Sequence, residues 1–115
     1  MQAEEIRDLI VEELSEMKAL DVRVLDVRGL TTIADYMVVA SGTSDRHVKS
    51  LSDKLIEVVK KNGQRPLGIE GEKEGEWVLT DFGDVIAHVM LPQVREFYKL
   101  ESLWQPEQQD NVEQM

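Results

Sequence analysis

The run Ala34-Asp35-Tyr36-Met37-Val38-Val39-Ala40-Ser41-Gly42-Thr43-Ser44-Asp45-Arg46-His47 decides the fold class. Tyr36 to Ala40 is apolar without interruption, the pattern of a strand covered on both faces. Ser41-Gly42-Thr43-Ser44 then breaks it. Thr43 or Ser44 can cap the helix that follows, its hydroxyl accepting from a first-turn backbone N–H. That helix carries Val48, Leu51, Leu55, Val58 and Val59 at helical spacing to about Lys61. Asn62-Gly63 is a stop signal, because glycine adopts the left-handed conformation that ends helices.

Upstream, Ala3 to Leu20 reads as a helix with Ile6, Leu9, Ile10, Leu14 and Met17 on one stripe. Glu4, Glu5 and Asp8 suit the positive end of its dipole. Val22 to Val27 reads as a strand, and Arg28 to Thr32 as a loop. Downstream, Pro66 to Glu70 reads as a short strand whose proline belongs at an edge or a start. Gly71 to Glu76 is an exposed turn. Trp77 to Thr80 and Val85 to Met90 read as an antiparallel pair joined at Asp81-Phe82-Gly83-Asp84. Pro92 opens a last helix expected to run through Trp104. The order α, β, β, α, β, β, β, α makes an α/β (α+β) domain over residues 1–104, with a mixed sheet of about five strands flanked by helices. Gln105 to Met115 is polar and lacks an apolar period, so it is expected to be an acidic, disordered tail.

Composition narrows the class of function. A chain of 115 residues with 42% hydrophobic residues can bury a real core as one domain. It has no cysteine, which excludes disulfides and thiolate metal sites and suits a reducing cytosol. The acidic start Met1-Gln2-Ala3-Glu4-Glu5 is not a signal peptide, and no apolar run approaches the ~20 residues needed to span a bilayer. A soluble, cytoplasmic protein is expected. A net charge of −10 opposes direct binding to a phosphate backbone and suits either plain solubility or a basic protein partner.

No complete catalytic set is present. Ser41-Gly42-Thr43-Ser44 lies where a helix N-terminus can hold an anion, and nucleotidyltransferases place a Gly-Ser turn comparably. They also need carboxylates on a nearby strand to hold magnesium. Here Asp45 and Asp53 fall on the helix, so capping is the favoured role of Ser41, Gly42 and Ser44. Asp81 and Asp84 flank Gly83 and are read as turn formers rather than metal ligands, no third ligand being evident. His47 and His88 are the only histidines, too few for a closed zinc site. His88 is expected to share a strand face with Ile86 and Met90. Phe97, Leu100 and Trp104 fall on one helical face, with Tyr98 and Leu103 beside it. Phe97 and Leu100 are assigned to the core. Trp77, Tyr98 and Trp104 lie at element edges, where core and interface are equally good readings.

The blocks Ala34-Asp35-Tyr36 into Ala40-Ser41-Gly42-Thr43-Ser44, Arg46-His47-Val48, Gly68-Ile69-Glu70-Gly71, Trp77, Asp81-Phe82-Gly83-Asp84-Val85, His88-Val89, Phe97-Tyr98, Leu100-Glu101 and Leu103-Trp104 together resemble the ribosomal silencing factor family, also called RsfS, YbeB or Iojap-like. The similarity covers roughly Ile6 to Trp104 and leaves the tail outside. It implies a nucleotidyltransferase-like fold without the activity and without cofactor or metal. It implies binding to the large ribosomal subunit through its ribosomal protein number fourteen, which blocks joining of the small subunit and damps translation during starvation or stationary phase. Organellar relatives act in large-subunit assembly. The matched motifs place the expected binding face on Trp77, His88 and Met90 of the hairpin and on Tyr98, Leu103 and Trp104 of the last helix, with Glu70 and Glu101 as acidic neighbours. Two other readings stand beside it: a residual nucleotide-binding or nucleotidyltransferase activity at Ser41-Gly42, and a homodimer formed through the aromatic edge.

Overall fold

The computed structural model describes residues 1–104; the expected tail from Gln105 lies outside them. The elements are α1 (Ala3–Glu16), β1 (Leu20–Asp26), β2 (Tyr36–Ser41), α2 (Asp45–Lys61), β3 (Gly68–Glu70), β4 (Trp77–Asp81), β5 (Val85–Met90), α3 (Pro92–Tyr98) and a closing 3-10 turn, Leu100–Trp104. The strands form one mixed sheet in the order β1-β2-β5-β4-β3. Only β2 and β5 run parallel, Tyr36 opposite Val85 and Ser41 opposite Met90; the other three pairs are antiparallel.

Both central strands are buried at every position, as the uninterrupted apolar run requires. Alternate side chains feed two cores. On one face Val38, Ala40, Val85, Ala87 and Val89 pack with Ile6, Ile10 and Leu14 of α1 and Leu51, Leu55 and Val59 of α2. On the other, Met37, Val39, Ile86 and Met90 pack with Leu25, Val27 and Ala34, and Trp77, Leu79, Val94, Leu100 and Trp104 lie against them.

Two helix ends show the same closure with different residues. In α2, Gly63 N–H donates to Lys60 and Gln64 N–H to the Val59 carbonyl, with Gly63 at φ +88°. This is the double bond of a Schellman end. In α1, Lys18 N–H donates to Ser15 and Ala19 N–H to Leu14, with Lys18 at φ +63°. The helix expected to reach Leu20 therefore stops at Glu16, and the released residues start β1 at Leu20. Ala19 packs onto the first core, which holds a left-handed lysine where glycine would be the usual choice.

The last helix is also shorter than expected. It ends at Tyr98, Lys99 turns left-handed at φ +48°, and a 3-10 turn follows. Phe97, Leu100 and Trp104 are therefore not one continuous helical face.

Gly42 and Gly71 are required by close approach. A Cβ on Gly42 would lie 2.9 Å from the Val48 nitrogen, and one on Gly71 would lie 2.0 Å from the Trp77 carbonyl oxygen. Gly71 is thereby the residue that lets the β3–β4 turn fold back onto Trp77.

Candidate functional site

Ser44, as expected, caps α2: its Oγ accepts from the His47 N–H at 3.1 Å. Ser41 does not belong to that cap. It is the last residue of β2, is buried, and its Oγ accepts from Arg95 Nη1 at 3.1 Å. The turn reading of Ser41 is corrected accordingly. His47 Nδ1 accepts from the Thr43 N–H at 2.9 Å and Nε2 lies 3.0 Å from the Met17 carbonyl. That geometry needs the Nε2–H tautomer, which ties the end of α1 to the start of α2.

In the β4–β5 hairpin the turn chemistry falls on Asp81, whose Oδ1 accepts from the Gly83 N–H at 2.8 Å. Asp84 contributes its carbonyl, which accepts from the Asp35 and Tyr36 N–H groups at 2.8 and 3.1 Å and joins the hairpin to the start of β2. Among the described residues no group of three or more His, Asp or Glu side chains is placed to hold a metal ion. None of the described helices is long and apolar enough to cross a membrane. The Asp35-Tyr36 motif is structural here. The Arg7 and Arg28 guanidiniums lie 4.7 and 5.1 Å from the Tyr36 ring centroid. Arg28 also forks onto Asp26 and holds its carboxyl down to about 2.

The aromatic residues come together where β4 starts and α3 ends. Trp77 Nε1–H donates to His88 Nδ1 at 3.0 Å. Burial of His88 lowers its pKa to about 4, so at neutral pH the ring is uncharged and Nδ1 is free to accept. The Trp77 ring lies 5.1 Å from Tyr98, and Tyr98 lies 4.9 Å from Phe97 in an edge arrangement. Phe97 is 78% exposed and Tyr98 57%; Leu103, on the 3-10 turn that follows, is 65% exposed. Phe97 is therefore a surface residue and not the core residue the periodicity suggested; the helix ends one residue later, so its apolar period does not continue into the 3-10 turn. Leu100 does pack on the second core, as expected.

The other residues of the expected face divide by depth. Met90 and His88 are buried, and they support Trp77 from beneath. Glu70 is exposed and stands opposite Leu79, on the face that carries Trp77. Trp104 is half-buried against the second core, its indole N–H without a hydrogen-bond partner among the described residues. Glu101 is no free rim acid: both its oxygens are taken by the buried Arg95, at 2.8 and 3.1 Å. Arg95 carries no sequence mark of its burial, since an arginine in a polar-looking helical turn has no pattern that sets it apart.

The statistical sequence model of the family described as "Ribosomal silencing factor during starvation" matches residues 1–115. The chain belongs to the ribosomal silencing factor family. A ribosomal silencing factor RsfS of Chromobacterium violaceum is 44% identical over 104 residues, covering 90% of this chain and 85% of that one. A Haemophilus influenzae RsfS is 39% identical over 97 residues, covering 84% and 95%. A mouse protein named for mitochondrial assembly of the ribosomal large subunit is 37% identical over an alignment of 100 residues, covering 84% of this chain and 44% of the mouse chain. A crystal structure of a Chromobacterium violaceum protein superposes with a TM-score of 0.89 at 44% identity, covering 90% of this chain and 87% of that one. The mixed five-stranded sheet with its three helices is thus a fold this family shares.

Proposed function

We propose that this chain is a translational repressor that binds the large ribosomal subunit and, while bound, keeps the small subunit from joining. The surface it takes is that of the large subunit's ribosomal protein number fourteen, where the small subunit docks. A part in large-subunit assembly is compatible with the same contact, and the mouse relative's name points that way. The observation that carries the reading, given the family, is the exposed pair Phe97 and Tyr98 stacked beside Trp77, with Leu103 also exposed on the turn that follows. A soluble domain has little reason to leave stacked aromatic side chains open together unless a partner covers them. Aromatic anchors held rigidly by their neighbours are what protein interfaces use as hot spots.

The charge fits a protein partner better than bare RNA. With a net charge of −10 the chain cannot neutralise many phosphates, whereas Glu70 beside the aromatics can complement a basic protein surface and speed encounter. Silencing then needs no chemistry. A standard interface of about 1,600 Å² held at the joining surface competes with the small subunit by mass action.

The test is sedimentation of tagged protein with separated subunits, followed by crosslinking. Recovery with large subunits alone, with crosslinks from residues 97–103 to protein fourteen, is the expected result. Equal recovery with small subunits and intact ribosomes, or binding to naked ribosomal RNA as tight as to the subunit, would sink the proposal.

A further inference from the structure

β2 and β5 are parallel neighbours, yet the chain leaves them toward opposite faces: β2 leads into α2 on the first core, and β5 leads into α3 on the second. The crevice at the carboxyl ends of such strands is where open α/β sheets usually admit ligands. Here a cleft of about 420 Å³ opens at that place, lined among others by Asp21, Arg23, Ser41, Arg95 and Glu101. Its floor is held by the protein's own charges.

Those charges close a ring. Arg95 Nε and Nη2 fork onto the two oxygens of Glu101 at 2.8 and 3.1 Å. Glu101 lies 3.6 Å from Arg23, Arg23 lies 3.3 Å from Asp21, and Asp21 returns to Arg95 at 3.7 Å. Ser41 accepts the remaining Arg95 contact. The Arg95 and Glu101 side chains are 8% and 17% exposed, whereas Asp21 is 62% exposed. Asp21 reaches the ring because β1 bulges between Leu20 and Arg23 and Asp21 takes φ +47°.

A buried ion pair is a poor device for stability, since desolvation cancels much of the attraction and apolar residues serve as well. What it supplies is direction. A forked guanidinium–carboxylate pair fixes the relative orientation of the two segments that carry it. Here those segments are α3 and the 3-10 turn, which meet at the left-handed Lys99. Lys99 is not a glycine, so this conformation persists only because its surroundings hold it.

We infer that the Asp21–Arg23–Glu101–Arg95 ring, closed on Ser41, is a positioning latch. It clamps residues 100–104 to the edge strand and the end of β2, and so fixes the outward direction of Phe97, Tyr98 and Leu103. Arg95 and Glu101 are positioning residues that touch no partner themselves. The link to affinity rests on the partner-binding reading above; the latch itself does not.

The experiment pairs amide hydrogen exchange with affinity for purified large subunits, using the full chain. In Glu101→Ala, exchange in residues 100–104 should rise more than tenfold while β2 and β5 keep their protection, and subunit affinity should fall about tenfold. Glu101→Gln keeps the side-chain size and one acceptor, and should move both readouts in the same direction by less. Asp21→Asn should move them least. Unchanged exchange in 100–104 overturns the latch. Freed residues 100–104 with unchanged affinity overturn its role in placing the aromatics. If Glu101→Ala also loses protection in β2 and β5, Glu101→Gln decides by the same two criteria. Failure of the wild type to bind subunits would overturn the partner reading alone, and the exchange result would still decide the latch.

Discussion

His88 shows how one buried side chain serves the surface above it. Its ring must stay neutral to accept from Trp77, and burial sets its pKa at about 4 against 6.5 in the unfolded chain. Above pH 6.5 both states are neutral and the group contributes nothing. As pH falls from 6.5 toward 4 only the unfolded state takes up the proton, so folding stability drops, by about 3 kcal/mol at pH 4, and then levels off. Denaturant titrations across this window should show that loss in the wild type and not in His88→Gln, which keeps an acceptor for Trp77 without a titrating ring. Asp26 acts in a separate window, its depressed pKa removing stability only as pH falls from 3.8 toward 2. Gly71 matters for a steric reason. Gly71→Ala must fit a methyl 2.0 Å from the Trp77 carbonyl at φ +85°. It should cost more than about 2 kcal/mol and shift the Trp77 fluorescence. A melting temperature and emission maximum equal to wild type would contradict the geometry.

At the scale of elements, most of the fold was legible because local signals agreed with tertiary demand. The buried strands β2 and β5, the Ser44 cap and the Gly63 stop each carry a residue type whose chemistry dictates the feature. Ser44→Ala should accordingly cost about 1 kcal/mol through the lost His47 N–H partner, measurable as a lower denaturation midpoint with an unchanged slope. The illegible features are those where tertiary contacts override propensity. Lys18 and Lys99 end α1 and α3 in the conformation expected of glycine, so neither stop carries a sequence mark. The second error made Phe97 a core residue, since an apolar period read through Lys99 continues smoothly to Trp104. The Arg95–Ser41 contact joins residues 54 positions apart, and no spacing rule reports such a pair. Of the expected face, Trp77, Tyr98, Leu103 and Glu70 were placed by sequence at or beside an exposed surface. His88 and Met90 turned out to lie beneath it, and Glu101 to be internal.

For the whole molecule, one face of the sheet is sealed by α1 and α2, and the other is only partly covered by α3 and the 3-10 turn. The uncovered margin carries the aromatics, and the cleft that the fold would offer a ligand is held by an internal ion pair. The mechanism proposed above for such a domain is to occupy space. Light scattering of mixed large and small subunits measures the proposed block of subunit joining most directly. Wild-type protein should suppress formation of intact ribosomes in a dose-dependent way that excess small subunits reverse. Tyr98→Ala, with an unchanged melting temperature, should need at least about thirtyfold more protein for the same effect. Joining that proceeds at the same rate and to the same extent with saturating wild-type protein would contradict the account.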